Sequence, residues 1–225
     1  MKRRDAFLCP PFATAAPPPT RGTLLAPPRD MRLLVVYRST HGQTARIAER
    51  IAERLRGRDA CVVVTGEPAN ATAAGFDAII VGARVHGSRY PWRITRFIRT
   101  NLRTLTSRPS AFFSVSLLQL ANDPAQRIET ETLPKQRLEP LGWTPDRTAV
   151  FAGALLWKKQ YGFLAPLFKR MWRQTLDTLI DPSLDEQVFT NWAEVDRFAD
   201  DFLRLAMSRG EHVAESAPAS VEARQ

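Results

Sequence analysis

Residues 33–44 read Leu-Leu-Val-Val-Tyr-Arg-Ser-Thr-His-Gly-Gln-Thr, and this is the most informative stretch of the chain. Its first five residues form a continuous apolar run, which is typical of a parallel strand covered on both faces. The next residues bring hydroxyls and one glycine but no acidic side chain, and a helical pattern begins at Thr44. The first N–H groups of a helix have no partner within it and attract anions. The stretch therefore predicts a strand, a phosphate-binding loop and a helix.

The composition of this loop limits the kind of phosphate. Neither the nucleoside-triphosphate pattern GxxxxGK[ST] nor the dinucleotide pattern GxGxxG is present. A single terminal phosphate, as in FMN, fits best, with hydrogen bonds from the hydroxyls of Ser39, Thr40 and Thr44. Gly42 allows a positive φ or a close backbone approach. The alternative is that Ser39 and Thr40 only cap the helix and Gly42 only shapes a turn.

Strands and helices alternate outward from this stretch. Apolar runs predict further strands at 61–65, 77–82, 110–117 and 148–154, and apolar spacing predicts helices at 44–55, 92–105, about 123–142, and 192–206. Five short strands alternating with helices predict an α/β fold, with a parallel sheet, right-handed crossovers and helices on both faces. Ligands of such sheets bind at the carboxyl ends of the strands, near the point where strand order reverses.

One domain is predicted, over residues 31–207. Residues 1–30 hold seven of the 17 prolines and no apolar periodicity, so they are expected to be a disordered extension, which a start codon placed too far upstream would explain. Residues 208–225 also lack apolar periodicity and are expected to be a disordered tail. No apolar run reaches the length that spans a bilayer, and no metal site is predicted.

The folded body is basic. The net charge is +9, of which residues 1–30 contribute +3 and residues 208–225 contribute −1, so the body between them carries +7. Such a surface attracts nucleic acid, anionic lipid or an anionic substrate, and charge alone does not choose among them.

The loop Ser39-Thr40-His41-Gly42-Gln43-Thr44 resembles the FMN-phosphate loop of the flavodoxin family, [ST]-x-[ST]-G-x-T, except that His41 replaces a hydroxyl. His41 either contacts the phosphate or faces solvent. The span from Met31 to about Ala206 is similar to the menaquinone-dependent protoporphyrinogen oxidases, the HemG type of flavodoxin-fold enzyme. The blocks that carry the likeness are 39–48, 81–83 with Tyr90, 109–115, 143–147, 152–155 and 189–192.

The resemblance implies a doubly wound, five-stranded sheet of order 2-1-3-4-5 that holds FMN at three loops. The implied cofactor contacts are Ser39, Thr40, His41, Gly42, Gln43, Thr44, Ala83, Arg84, Val85, His86, Gly87, Tyr90, Ser116, Leu117 and Leu118. Tyr90 and Trp92 are candidates to stack on the flavin, although Trp92 could instead start a helix and pack inward.

A basic, aromatic, helical insertion is predicted after the fifth strand, at residues 155–173. Its apolar side chains fall on one helical stripe: Leu164, Leu167, Phe168, Met171, Trp172, Leu176 and Leu179. The stripe either docks on anionic lipid and an apolar, carboxylate-bearing substrate or packs on the sheet edge.

The resemblance implies an FMN-dependent protoporphyrinogen IX dehydrogenase of haem biosynthesis that passes electrons to a membrane quinone. We expect it in the cytoplasm, peripheral on the inner face of the cell membrane and its anionic lipid. Arg84, Arg89, Lys158 and Lys159 are candidates to bind the propionates, or are solvated charges, and His86 is a candidate proton acceptor.

Three alternatives stay open on the sequence. The first is a one-electron flavodoxin carrier, but such carriers are commonly acidic. The second is an FMN-dependent NAD(P)H:quinone oxidoreductase. The third is a nucleic-acid-binding domain whose phosphate loop is coincidental, and no nucleic acid partner is expected.

Overall fold

The computed structural model describes residues 31–58, 60–86, 89–120, 123–157, 162–167, 181 and 184–215. The strands and helices, in chain order, are β1 (Arg32–Arg38), α1 (Gln43–Arg56), β2 (Cys61–Thr65), β3 (Ala78–Arg84), α2 (Trp92–Thr100), α3 (Leu102–Ser107), β4 (Ser110–Ser116), α4 (Pro124–Leu138), β5 (Arg147–Ala152), β6 (Ala154–Leu156), β7 (Glu186–Val188) and α5 (Trp192–Glu215). Within these ranges, no helix is both long enough and apolar enough to cross a membrane.

The five long strands form one parallel sheet in the order β2-β1-β3-β4-β5, which confirms the predicted topology. The chain first adds β2 on one side of β1 and then β3 on the other, so strand order reverses between β1 and β3. In sheets of this kind that point is where ligands bind, beyond the carboxyl ends of the strands.

Both faces of the sheet are covered. Helices α1 and α5 cover one face, whose buried side chains include Leu33, Val35, Ile47, Ile51, Ile80, Phe113, Phe151, Val195, Phe198 and Phe202. Helices α2, α3 and α4 cover the other, with Leu34, Val36, Ile79, Val81, Ile94, Phe97, Phe112, Leu133 and Trp143. Adjacent residues of β1 and β3 thus enter opposite cores, which explains why the strands are apolar runs rather than alternating patterns.

A glycine in β3 lets an aromatic ring of β4 approach the backbone closely. Gly82 pairs with Phe113 of β4, and a Cβ atom at Gly82 would lie 2.2 Å from the ring carbon Cζ of Phe113. No side chain fits there without displacing the ring. Phe113 in turn contacts Phe151 and Phe198, with ring centroids 6.0 and 6.4 Å away, so this close approach helps to seat α5.

Two bidentate ion pairs join α1 to α5. The guanidinium of Arg50 binds Asp196 with N–O distances of 2.7 and 2.6 Å, and that of Arg54 binds Asp200 at 3.0 and 2.7 Å. Hydrogen bonds from the two arginines lower the pKa of both carboxyls below the ordinary value of 3.8. The pairs fix how α1, which carries the phosphate loop at its start, lies against the last helix.

The helix predicted at 92–105 is divided into α2 and α3 at Asn101. The buried Asn101 amide accepts a hydrogen bond from the backbone N–H of Ala73 at 2.8 Å and donates one to the carbonyl of Phe97 at 2.9 Å. A side chain that bonds nearby backbone competes with helix geometry, which accounts for the break.

The last helix is longer than apolar spacing predicts. It continues to Glu215, beyond residue 207, where the sequence placed the start of a tail. Arg209 reaches back to Asp146 with an N–O distance of 2.6 Å, and this contact holds the added turn against the start of β5. Residues 1–30 and 216–225 lie outside the described ranges.

A short antiparallel ribbon, which the sequence did not predict, follows the sheet. The predicted fifth strand, 148–154, ends at Ala152, and after Gly153 the chain forms β6, which pairs with β7. The N–H of Trp157 also bonds to the carbonyl of Asp185 at 3.0 Å. The ribbon therefore lies at the base of the predicted insertion. After residue 157, the next described residues form a 3₁₀ turn at Gly162–Leu164 and continue as helix through Leu167.

Candidate functional site

The predicted site lies at one edge of the sheet. Because the five strands are parallel, β1, β3, β4 and β5 all end there, at Arg38, Arg84, Ser116 and Ala152. The loops that follow β1, β3 and β4 come from the two sides of the strand-order reversal. This edge therefore combines the loop beside the first helix with the two loops that were predicted to enclose a planar ring.

The loop between β1 and α1 is built to receive an anion. Gly42 has φ 108°, in the left-handed region, and its N–H donates to Ser39 Oγ at 3.1 Å. As the residue that starts the helix, Gly42 offers no side-chain cap, and the first turn of α1 holds no acidic residue. The N–H groups at the start of α1 are the ones a helix leaves without internal partners. They suit a phosphate that the helix dipole also attracts.

The hydroxyls of the loop differ in exposure. Thr40 is exposed, Ser39 and His41 are half-buried, and Thr44 is buried below the loop. Ser39 accepts from Gly42 and still has its own proton to donate. The loop thus presents a short edge of hydroxyls and N–H groups in front of α1.

Gln43 connects this loop to a distant part of the chain. Its amide Nε2 donates to Thr190 Oγ1 at 2.7 Å, and Thr190 Oγ1 donates to the carbonyl of Ala152 at 2.7 Å. Both side chains are buried, and Gln43 Oε1 has no hydrogen-bond partner among the described residues. The start of α1, the end of β5 and the segment after β7 are therefore joined at one point.

A carboxylate lies between two arginines beside the loop, and none of these three residues was predicted to belong to the site. Glu67 binds Arg38 at 3.2 Å and Arg93 at 3.4 Å. Next to them, burial raises the pKa of the Tyr37 phenol, and the negative charges of Glu49 and Glu67 raise that pKa further. Arg38 directly precedes the phosphate loop, and its position at a strand end was the signal available.

The loop after β3 begins later than predicted. Ala83 and Arg84 are still part of β3, and the Ala83 side chain is buried in the core rather than exposed to a ligand. His86 and Arg89 then exchange backbone hydrogen bonds of 3.0 and 3.2 Å, which makes a tight turn. Both side chains are exposed, while Arg84 and Val85 are half-buried.

The structure corrects the expected roles of the two aromatic residues after this turn. Tyr90 is only 8% exposed and packs edge-to-face on Phe112, with ring centroids 4.9 Å apart, so its face is not open for stacking. Burial raises the pKa of its phenol, which lies beside Ser114. Trp92 starts α2 and is 61% exposed, with Arg93 against its ring. Of the two rings, Trp92 is the one that remains accessible.

The loop after β4 is a 3₁₀ turn, Leu117–Leu120. Ser116 is buried, and its Oγ accepts from the N–H of Leu118 at 3.2 Å, which starts the turn. Leu117 packs toward Leu155 and Trp157 of the ribbon. The backbone of the turn, rather than the Leu117 side chain, therefore faces the edge of the sheet.

Three predicted site residues, Gly87, Lys158 and Lys159, lie outside the described ranges. So does most of the predicted apolar stripe of the insertion. In the described part of the insertion, the Trp157 side chain is buried, whereas the side chains of Phe163 and Leu167 are 91% and 64% exposed.

The donors at the phosphate loop fit FMN. Its cradle is made of N–H groups and hydroxyls without a carboxylate, and Gly42 keeps the backbone at the left-handed turn that opens it. A terminal phosphate there would place the rest of the cofactor along the edge where the loops after β3 and β4 end.

Comparisons with known proteins identify the family. A family model described as a flavodoxin domain matches residues 34–175. Protoporphyrinogen IX dehydrogenase [quinone] of Escherichia coli K12 is 30% identical over 181 residues, 78% of this chain and 96% of that protein. The Leishmania major protein of the same name is 30% identical over 183 residues, 79% of this chain and 77% of its own.

Solved flavodoxins resemble the chain more distantly. Oxidised flavodoxin 2 of Bacillus cereus is 19% identical, with a TM-score of 0.46 over 77% of this chain and 99% of that one. A short-chain flavodoxin of a bacterial microcompartment is 13% identical, with a TM-score of 0.47 over 78% of this chain and 99% of that one. At this distance they add nothing to the assignment. FMN is the cofactor of flavodoxin domains. The chain belongs to the flavodoxin-domain family and, within it, to the quinone-dependent protoporphyrinogen IX dehydrogenases.

Proposed function

We propose that this protein oxidises protoporphyrinogen IX with FMN and passes the electrons to a membrane quinone. The single observation that supports this most is the combination of the acid-free phosphate cradle and exposed arginine at one edge of the sheet, in a chain that is 30% identical to dehydrogenases named for this reaction. Flavin, when bound, supplies reversible acceptance of two electrons, and the protein supplies position and electrostatic field.

The phosphate loop anchors the cofactor. Ser39, Thr40 and Thr44 would donate hydroxyl hydrogen bonds, and the N–H groups that begin α1 would donate the rest. Gln43 points away from the phosphate, toward Thr190, so its role is to hold the start of the helix in place.

The loops after β3 and β4 would border the ring. The turn His86 to Arg89 stands on one side and the 3₁₀ turn after Ser116 on the other. Both are held by backbone or side-chain-to-backbone hydrogen bonds, such as Leu118 N–H to Ser116 Oγ. Such turns position backbone groups with little loss of entropy on binding.

Cationic side chains at this edge suit the two propionates of the porphyrin. Arg89 is exposed, and Arg84 is half-buried with its Nε lacking a partner among the described residues. An unpaired, buried donor gains more from a carboxylate than a solvated one does. His86, which is exposed on the same turn, would take a proton from bound substrate.

The proposed electron acceptor implies that the protein works at a membrane. A quinone is dissolved in the bilayer and the reduced porphyrin is apolar, so an enzyme that joins them works best at a membrane surface. We place the protein on the cytoplasmic face, where anionic lipid attracts a body of charge +7.

An anaerobic assay tests the proposal. The purified protein is examined for a flavin spectrum, and porphyrin fluorescence is followed after addition of protoporphyrinogen, with and without a quinone. We expect bound flavin and quinone-dependent formation of porphyrin. Bound flavin without any quinone-dependent gain would point instead to an electron carrier, and reduction by NADPH would point to an NAD(P)H:quinone oxidoreductase.

A further inference from the structure

The positive charge of the body is concentrated in one segment. Residues 78–122 contain no aspartate or glutamate and no lysine, but they contain seven arginines: Arg84, Arg89, Arg93, Arg96, Arg99, Arg103 and Arg108. Their summed charge equals the +7 of residues 31–207, so the rest of the body is neutral overall. Any partner drawn by this charge will meet the protein on the side that this segment forms.

Three of these arginines and an exposed tryptophan lie on one face of α2 and α3. The positions of Trp92, Arg96, Arg99 and Arg103 are i, i+4, i+7 and i+11, which fall on a single stripe of a helix. The helical period of burial continues across the break at Asn101, because Phe97, Asn101 and Leu105, each four positions apart, are all buried. We call these four residues the α2–α3 stripe.

The stripe faces solvent. The opposite side of the same helices, with Ile94, Phe97, Ile98 and Leu105, is buried against the sheet. Arg96, Arg99 and Arg103 are exposed, and none lies within ion-pair distance of a carboxylate among the described residues. Three arginines of α1 differ in this respect, because Arg46, Arg50 and Arg54 are each paired with a carboxylate.

We propose that the α2–α3 stripe is the surface by which the protein docks on an anionic phospholipid bilayer. Unpaired arginines along a helix that lies flat on the protein match a plane of anionic headgroups, and each adds attraction. Trp92, at the end of the stripe nearest the phosphate-loop edge, is the type of side chain that enters a membrane interface. A nucleic acid duplex would use the arginines for its phosphates, but its stacked bases could not pack on the exposed indole.

This inference rests on the proposed function, because the quinone is the reason to expect a membrane. It adds which face of the protein meets that membrane. Helix α2 starts at the edge of the sheet where the candidate site lies. Docking along the stripe would keep that edge beside the bilayer, within reach of an acceptor dissolved in it.

Binding of the complete flavin-loaded protein to vesicles tests the stripe without any turnover. Co-sedimentation is measured with phosphatidylcholine vesicles that contain or lack phosphatidylglycerol. The test variant is Arg96→Gln/Arg99→Gln/Arg103→Gln. The matched control, Arg46→Gln/Arg197→Gln/Arg204→Gln, removes the same charge from exposed arginines of α1 and α5, on the other face of the sheet. A third variant, Lys158→Gln/Lys159→Gln, tests the insertion as the rival surface.

We expect binding of the wild type only to vesicles with phosphatidylglycerol, and a loss on the order of 100-fold in the stripe variant, from about 1 kcal/mol for each arginine. The control should bind nearly as the wild type does. Melting temperature and flavin content should be the same in all variants. With a soluble quinone analogue the stripe variant should turn over normally, and with quinone in vesicles it should slow.

Equal loss in the control would mean that only net charge matters, and loss in the Lys158/Lys159 variant alone would move the surface to the insertion. Wild-type binding by the stripe variant, or displacement of the vesicles by duplex DNA at equal salt, would also overturn the inference. If the wild type binds vesicles through the stripe but does not oxidise protoporphyrinogen, the proposed function is rejected and the docking surface is retained.

Discussion

The amide of Gln43 donates a 2.7 Å hydrogen bond to the hydroxyl of Thr190, which lies 147 positions further along the chain. Thr190 passes the connection on to the carbonyl of Ala152 at the end of β5. The start of the helix that faces the phosphate is therefore fixed by the segment that returns from the ribbon. We therefore expect a change at Thr190 to alter the start of α1.

Replacement of Thr190 by valine should weaken both the fold and FMN binding. Thr190→Val keeps the volume but leaves the Gln43 amide and the Ala152 carbonyl buried without this partner, a loss of about 1–3 kcal/mol. Thermal unfolding and FMN titration of the apoprotein measure the two effects. Thr190→Ser keeps the hydroxyl and should lie close to wild type in both. Equal damage by the serine would assign the effect to packing.

Gly42→Ala should lower FMN affinity. With φ at 108°, a Cβ atom at Gly42 strains the backbone by about 1–2 kcal/mol, and relaxation of that strain moves the N–H groups that face the phosphate. The expected loss of affinity is about tenfold, measured by quenching of flavin fluorescence. Gly57 ends the same helix with φ −65°, and a Cβ atom there would make only ordinary van der Waals contacts, at 3.5 Å from two backbone carbonyl oxygens. Gly57→Ala should leave affinity unchanged, and an equal loss there would contradict the account.

Arg89→Gln should raise the KM for protoporphyrinogen without changing kcat or flavin content. A contact from the arginine to a propionate acts in the ground state and the transition state alike, so its loss reduces binding only. About tenfold is expected for one exposed, charge-assisted contact. Arg147 is also exposed but starts β5, at the opposite edge of the sheet. Arg147→Gln should therefore have the KM of the wild type.

Acid should unfold the protein partly through the pairs between α1 and α5. Arg50 and Arg54 lower the pKa of Asp196 and Asp200 in the folded state. A carboxyl with a lowered folded pKa stabilises the fold above its unfolded value, and that contribution is lost as pH falls through the folded pKa. Melting temperature should fall more steeply below about pH 4 in the wild type than in Asp196→Asn/Asp200→Asn. Glu53→Gln, an exposed carboxylate of α1 without an ion pair among the described residues, should keep the wild-type slope.

Much of the fold could be predicted because the strands carry their own signal. The bounds of β2, Cys61–Thr65, were predicted correctly, and the alternation with helices gave a parallel sheet whose order is confirmed. The ribbon was missed because β7 reads Glu-Gln-Val, too short and too polar for a pattern. A strand of this length is defined by its partner, here β6, and not by its own residues.

The site was predicted less completely, for reasons of geometry. The phosphate loop stays a prediction, and the sequence could not tell which of Tyr90 and Trp92 turns inward. That choice depends on where α2 begins and on the pocket beside Phe112 that receives the tyrosine ring. Thr190 stood in a block that resembles the family, yet its contact with Gln43 arises only when the chain folds back.

Anaerobic single-turnover spectroscopy can show whether the bound flavin carries electrons from protoporphyrinogen to a quinone. FMN-loaded protein is mixed with protoporphyrinogen, and the flavin absorbance is followed before and after addition of a menaquinone analogue. We expect bleaching of the flavin by protoporphyrinogen, recovery on addition of the quinone, and no bleaching by NADPH. Flavin that stays oxidised with protoporphyrinogen but bleaches with NADPH would contradict the proposed function.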